Sequence, residues 1–172
     1  MKGIILRKGE ENVRPDGSKG PQFYTFMKKQ VFDSIHNVQR DYNWLISNID
    51  AFPCDKFYEF FKAPYIWISG GELTEIFEEH DFQWMFAVFS GFTKDITKEE
   101  VLQYELPYAD CYEGFWKNPL TIQHPLAVIE IAPFDCSYVL LISSDDKIVE
   151  NFVKSKPLAE DLETYNNSLD KS

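Results

Sequence analysis

The alternation of hydrophobic and polar side chains along the chain predicts a set of short strands. Tyr42, Trp44 and Ile46 recur at every second position, which is the period of a β-strand. Residues 82–89 form the most continuous apolar run, and its length is typical of a central strand buried on both faces. Six strand segments are predicted, near residues 3–7, 42–47, 64–68, 82–90, 127–132 and 137–143. We expect the last two to pair as an antiparallel hairpin.

Helix signals lie between these segments. Apolar side chains recur every three or four positions in residues 23–38, which predicts a long amphipathic helix. Ser69 with Glu72, and Thr97 with Glu100, have the spacing of capping boxes, so a helix is expected to begin after each. Shorter helical segments are predicted at residues 54–62, after 144–146 and at 158–165. The sequence therefore predicts an α+β fold, with a mainly antiparallel sheet of five or six strands and helices packed mainly on one face.

The length of the chain predicts a single domain. A chain of ~150 residues buries roughly two-thirds of its unfolded surface, and this one has 172 residues. We expect one domain over residues 1–172, with an exposed loop at 9–21, where Gly, Pro and charged residues are frequent. The polar residues 167–172 are expected to form a frayed tail.

The connection at residues 106–125 is the most informative loop in the sequence. Loops of this length without regular structure are uncommon in compact domains and are often functional. This one carries four large aromatic residues, Tyr108, Tyr112, Phe115 and Trp116. We expect some of these rings to pack inward and one or two to stay exposed as anchors for a partner, with Trp116 as the main anchor.

Charge narrows the choice of partner. The chain has 28 acidic and 17 basic residues, a formal net charge of -11. Residues 1–40 carry eight Lys or Arg against four Asp or Glu, so residues 41–172 have nine against twenty-four. An acidic surface repels nucleic acid phosphates and attracts basic proteins. We therefore expect a basic protein partner and no nucleic acid; the oligomeric state is left open.

The location is expected to be cytoplasmic. The amino terminus has only a three-residue apolar run before charged residues, whereas a signal peptide needs about 7 to 15. Charged residues interrupt every longer run, so none reaches the ~20 apolar residues that span a bilayer. Cys54, Cys111 and Cys136 lie far apart, which fits neither a disulfide framework nor a zinc site. Each follows or precedes an aspartate, which predicts unreactive free thiols.

Candidate catalytic chemistry is sparse. The sequence contains no familiar catalytic, metal or nucleotide-binding motif, so no metal or cofactor is expected. The alternative is a catalytic site made of His124, Cys136 and Glu130. They supply a base, a thiol and a carboxyl group respectively, which could meet around the hairpin. Cys136 also fits the role of a small buried hydrophobe. Glu130 alternates with Ile129 and Ile131. If its face of the sheet is covered, it should have a partner and a raised pKa and would be the best acid/base candidate.

Several short motifs resemble a known class of proteins. They are Phe82-Gln83-Trp84, Ser90-Gly91-Phe92, Phe115-Trp116, Gln123-His124-Pro125-Leu126-Ala127, Glu130-Ile131 and Asp161-Leu162-Glu163 with Tyr165-Asn166. They resemble small bacterial proteins of the polymorphic-toxin immunity type, and the resemblance covers residues 64–166. The resemblance implies a cytoplasmic protein that blocks a cognate toxin by binding it.

Two hypotheses follow from the sequence. The first is a non-catalytic acidic binding protein, an immunity-type inhibitor of a basic toxin or other basic protein, which uses Tyr108, Tyr112, Phe115 and Trp116. The second is a small hydrolase or transferase centred on His124, Cys136 and Glu130. A pocket that joins these three side chains would favour the enzyme.

Overall fold

In its described residues the chain folds around an antiparallel sheet of seven strands. The computed structural model describes residues 1–7, 12–13, 19–20 and 25–169. The sheet has the order β5-β4-β6-β7-β8-β1-β9, and every neighbouring pair is antiparallel. Its strands are β1 (Lys2–Leu6), β4 (Asn43–Ala51), β5 (Tyr65–Ser69), β6 (Trp84–Phe92), β7 (Ile129–Phe134), β8 (Tyr138–Ser143) and β9 (Glu160–Asp161). A separate two-stranded ladder joins β2 (Asn12–Val13) to β3 (Lys19–Gly20).

The α+β class and the antiparallel sheet are confirmed, and the number of strands is corrected. All six predicted segments form strands of the sheet, and β7 and β8 form the expected hairpin. The seventh strand, β9, has two acidic residues within a segment predicted to be a helix. A strand of two residues shows no alternation, so its pairing with Ile4 and Ile5 was not visible in the sequence.

Among the described residues, four α-helices connect strands of the sheet, and a fifth follows the last strand. They are α1 (Asp55–Phe61), α2 (Gly70–Glu79), α3 (Lys98–Val101), α4 (Asp146–Ser155) and α5 (Leu162–Leu169). The two predicted capping boxes are confirmed, one at the start of α2 and one at the start of α3. Helix α5 continues to Leu169, so the part of the predicted tail at 167–169 is helical, and 170–172 lie outside the described residues. Of the predicted 9–21 loop, the structure describes only β2 and β3.

The long helix predicted over residues 23–38 is wrong. The described part of that segment has a π-helical turn at Met27–Phe32, then turns, then a 3-10 turn at Val38–Asp41. His36 and Asn37 have φ angles of 58° and 59°, a left-handed conformation that an α-helix does not contain. The apolar side chains still pack inward, because Met27, Val31 and Ile35 are fully buried. Periodicity thus identified the buried side chains but not the backbone that presents them.

The two faces of the sheet are covered by different elements. On one face, here called the helix face, α1, α2, α4 and the π-helical turn pack against the alternate strand residues, including Trp44, Ile46, Phe89 and Ile131. On the other, called the loop face, α3, α5 and residues 102–127 cover the side chains between them, including Leu45, Val88, Ala132 and Leu140. The loop face therefore brings the long aromatic loop over the middle of the sheet.

Candidate recognition surface

The loop at residues 102–127 is held on the sheet by side chains that bond its main chain. Gln123 makes two such bonds with Tyr108. The Tyr108 N–H donates to Gln123 Oε1 at 3.1 Å, and Gln123 Nε2 donates to the Tyr108 carbonyl at 3.0 Å. A side-chain amide thus replaces the partner strand that an extended backbone would otherwise need. This pair fixes the main chain of Tyr108, and the ring of Tyr108 takes no part in it.

Strand β4 supplies the second attachment. Ser47 Oγ donates to the carbonyl of Pro107 at 2.6 Å. The main-chain N–H groups of Ala109 and Asp110 both donate to Asn48 Oδ1, at 2.7 and 2.8 Å. Asn48 lies where the register between β4 and β6 shifts, and its φ is 50°, a left-handed value that asparagine tolerates better than most residues. The irregularity in β4 therefore has a structural role, because it accompanies the side chain that holds the loop.

Beyond these attachments the loop exposes apolar side chains. Leu102, Tyr104, Leu106 and Tyr108 are 36%, 44%, 38% and 50% exposed, and together they are named here the exposed strip. Residues 99–116 contain five carboxylates and no Lys or Arg. Those carboxylates are all exposed and belong to Glu99, Glu100, Glu105, Asp110 and Glu113. The strip thus belongs to an acidic stretch of the chain, in which Glu113 is paired with Lys117 at 2.9 Å.

The four aromatic residues predicted to bind a partner differ in exposure. Tyr108 is exposed, Tyr112 and Trp116 are half-buried, and Phe115 is 1% exposed within the core of the loop face. Their rings form a continuous series, because Tyr108 contacts Tyr112, Tyr112 contacts Phe115, and Phe115 contacts Trp116. Trp116 also packs on Phe134, with ring centroids 5.3 Å apart. The series runs from the exposed Tyr108 through the buried Phe115 to the half-buried Trp116, so Tyr108 is the most exposed of the four rings.

Glu130 lies under this loop and is 1% exposed. Its Oε2 accepts the main-chain N–H of Gln123 at 2.9 Å, so the residue that holds Tyr108 is itself held by a buried carboxyl group. Burial raises the pKa of Glu130 to about 7, although hydrogen bonds from Gln123 oppose the shift. Glu130 Oε1 and the hydroxyl of its cross-strand partner Ser90 have no hydrogen-bond partner among the described residues. The expectation of a partner and a raised pKa for a covered Glu130 is confirmed.

His124 is a buried residue with both ring nitrogens in use. Nδ1 accepts the main-chain N–H of Leu126 at 3.2 Å, which places the proton on Nε2, and Nε2 donates to the Val101 carbonyl at 3.1 Å. Burial lowers the pKa of His124, so the ring is neutral near pH 7. The ring joins α3 to the end of the loop, and neither nitrogen is available to activate a nucleophile.

Cys136 lies apart from Glu130 and His124. It is in the turn after β7, where Thr25 Oγ1 donates to its carbonyl at 3.5 Å. Glu130 is four residues from the end of β7 at Phe134, which is ~13 Å along a strand. Burial and then the charge of Asp135 raise the pKa of the Cys136 thiol, and a hydrogen bond to Asp110 raises that of Cys111. The structure therefore does not bring the Cys136 thiol to the buried carboxyl group.

Two other features were looked for in the described part of the chain, a group of metal-binding side chains and a membrane-spanning helix. Within it, no three His, Cys, Asp or Glu side chains are grouped so that they could hold a metal ion. Among the same residues, no helix has the length and apolar character needed to cross a membrane. Comparisons with protein-family models, with curated proteins and with solved structures each give no match to the chain.

Sequence reasoning missed three residues of the exposed strip, Leu102, Tyr104 and Leu106, and the attachment by Ser47. It also missed Asn48 and Gln123. Both act on main-chain groups far away in sequence, 61 and 15 residues from Ala109 and Tyr108 respectively. A polar amide at the end of an apolar strand is the only local signal for Asn48, and it is common in ordinary turns. Gln123 had no signal beyond its place in the resemblance.

Proposed function

We propose that the chain is a non-catalytic acidic binding protein that recognises a basic protein through the exposed strip. One observation carries the proposal. Ser47 and Asn48 bond the loop to the sheet, Gln123 bonds it internally at Tyr108, and the loop so held keeps four apolar side chains partly exposed in a stretch with five carboxylates. Exposing these side chains has no benefit for folding, since burying apolar area is what stabilises a fold. A partner that covers these side chains would gain the free energy of burying their apolar area.

The attachment of the loop supports tight recognition. Binding costs free energy when a loop must be ordered, and a loop that is already held avoids most of that cost. Tyr104 and Tyr108 add large rings with a polar end, the kind of side chain that most often dominates binding energy at an interface. We therefore keep the aromatic loop as the binding element. Tyr108, which packs on Tyr112, takes the anchoring role that the sequence predicted for Trp116.

Charge defines the partner. Five carboxylates without a basic residue between positions 99 and 116 favour a surface rich in Lys and Arg. The resemblance to polymorphic-toxin immunity proteins supplies the class that we propose, an inhibitor that occupies a basic toxin domain in the cytoplasm. The buried positions of Glu130 and His124 fit this function, because both act as supports of the loop.

The test compares two tyrosines of equal exposure. Tyr108 and Tyr58 are each 50% exposed, and Tyr58 lies on α1, outside the strip. After a basic partner has been captured from the source cells and purified, we expect Tyr108→Ala to weaken its binding at least tenfold, about 1.4 kcal/mol. Tyr58→Ala should bind like the wild-type chain, and both variants should keep its melting temperature. Equal binding by the two variants would contradict the proposal.

Salt provides a second measurement on the same complex. Exposed charges are screened beyond about 8 Å at physiological ionic strength, so the association rate should fall as salt is added. Glu105 is exposed, and Glu105→Lys should lower the rate at low salt and flatten its salt dependence. A rate that salt does not change would reject the carboxylates as the recognition element.

A further inference from the structure

The two edges of the sheet have opposite character. At one edge lies β9, whose two residues, Glu160 and Asp161, are both acidic. A short, charged edge strand is a common protection against pairing with another chain. At the other edge lies β5, with the sequence Tyr-Ile-Trp-Ile-Ser and neither charge nor proline. None of the usual protections is present in β5 itself.

The unpaired main-chain groups of β5 follow from its pairing with β4. Gly70 N–H donates to the Tyr42 carbonyl at 2.8 Å, which continues the ladder between β4 and β5. The even-numbered residues of β5 are therefore the ones whose main-chain groups bond to β4. Ser69 N–H donates to the Glu72 carboxylate, on the side away from β4. Tyr65 and Trp67 share the parity of Ser69, so their N–H and C=O groups also point away from β4. Within the described residues nothing bonds these groups.

We infer that β5 pairs with β5 of a second copy of this chain, antiparallel and about a two-fold axis at Trp67. This register places Trp67 opposite Trp67 and Tyr65 opposite Ser69. Every outward-facing residue of one copy then meets an outward-facing residue of the other, as a two-fold interface requires. The two sheets join into one continuous sheet.

Two copies of this chain, each of net charge -11, repel each other. Contact through the β5 edge is favoured over contact through other parts of the surface. Residues 63–71 are nine consecutive uncharged residues, so no like charges meet along the strand. The flanking charges are opposite in sign, Lys62 before the segment and Glu72 after it, and both are exposed. The antiparallel arrangement brings Lys62 of each copy toward Glu72 of the other. The contact of five residues per copy is small, so the dimer is expected to be weak and reversible.

The pairing is independent of the exposed strip and responds to salt in the opposite direction. Salt screens the repulsion between two chains of the same net charge, so dimerisation should strengthen as salt is added. Association with a basic partner should weaken under the same change. The two interactions can therefore fail or succeed separately.

Sedimentation of the full chain tests the inference with a matched pair of variants. Trp67→Ala and Trp67→Pro both remove the indole, which packs on Phe92 at 5.5 Å, but only proline also removes the outward N–H. From about 10 µM to about 1 mM we expect a monomer–dimer equilibrium in the wild-type chain, at least tenfold weaker in Trp67→Pro than in Trp67→Ala. A monomer throughout this range, or equal dimerisation of the two variants, would overturn the inference.

Hydrogen exchange on the wild-type chain tests the same pairing without any variant, so it still applies if a variant fails to fold. The amides of Tyr65 and Trp67 should exchange fast in dilute solution and become protected as concentration rises. The amides of Ile66 and Ile68, which face β4, should exchange slowly at every concentration. Fast exchange at Tyr65 and Trp67 in concentrated solution would equally overturn the pairing.

Discussion

The helix face and the loop face of the sheet exclude water by different means. On the helix face, the rings of Phe77, Phe82, Trp84 and Phe89 pack on one another at centroid distances of 4.9–6.5 Å. On the loop face, apolar packing is combined with the buried Glu130 and His124 and with the amide of Gln123. The helix face thus depends on apolar contact alone at its centre, and the loop face depends also on hydrogen bonds that fix the path of a loop. Changes on the first should alter stability, and changes on the second should alter position and pH response.

The largest effect is expected from Phe77→Ala. Phe77 is 1% exposed at the centre of the aromatic group, with Phe32 at 5.7 Å and Phe82 at 5.5 Å. Removal of a buried ring costs about 3–5 kcal/mol, a large part of the ~5–15 kcal/mol that stabilises a typical domain. Urea unfolding measures the loss. Phe60→Ala, at a ring 42% exposed on α1, is the control and should cost far less; similar losses would show that the helix face is not the main source of stability.

The second prediction concerns the pH dependence that Glu130 confers on the loop face. Its pKa is raised from 4.5 to about 7 in the folded chain, so the folded state holds the proton more tightly than the unfolded state. The resulting stability is fully present below pH 4.5 and is lost as the pH rises to 7, with a total of roughly 3 kcal/mol. Tyr112 is the titratable group that faces Glu130, and its own pKa is raised by burial and by Glu130.

Glu130→Gln removes this ionisation and keeps an oxygen for the Gln123 N–H. At pH 8 we expect the variant to gain roughly 1–3 kcal/mol in free energy of unfolding over the wild-type chain, and at pH 5 to gain nothing. Glu105→Gln, the same change at an exposed position, should leave the pH profile unaltered. If wild-type and Glu130→Gln chains lose stability in parallel between pH 5 and pH 8, Glu130 does not titrate in this range.

The smallest effect on stability is expected from Gln123→Ala. The change removes two hydrogen bonds to Tyr108, worth about 1–2 kcal/mol together. Its effect on the loop should be clearer, because the Tyr108 amide loses its acceptor and should exchange with solvent at least tenfold faster. Gln103→Ala, at an exposed glutamine of the same loop, is the control for both measurements. An unchanged Tyr108 amide would contradict the proposed attachment.

Local signals account for what the sequence predicted well. The capping boxes at Ser69 and Thr97 act within four residues, and the alternation at 42–47 reports directly on the two faces of a strand. The conditional expectation for Glu130 followed from the same alternation. These features depend on neighbours in sequence, so the sequence alone was sufficient for them.

Long-range contacts account for what it did not predict. Strand β9 exists because Glu160 and Asp161 meet β1, some 150 residues away in the chain. The attachment of the loop needs Asn48 in a left-handed conformation at an irregular position of β4, and no residue near Asn48 indicates it. The separation of Cys136 from Glu130 likewise depends on where β7 ends. The pattern of hydrophobic and polar residues indicates which side chains are buried. The strand β9, the loop attachment and the position of Cys136 depend instead on which strands pair with each other.

The residues that hold the loop differ from the residues that the loop exposes. The groups that hold the loop are Ser47, Asn48 and Gln123, while the residues at 104, 106 and 108 contribute outward side chains. Because the bonds reach only the backbone of Pro107, Tyr108, Ala109 and Asp110, the identity of the outward side chains is not constrained by the attachment. Under the function proposed above, substitution at these three positions would change the target and leave in place the bonds that hold the loop.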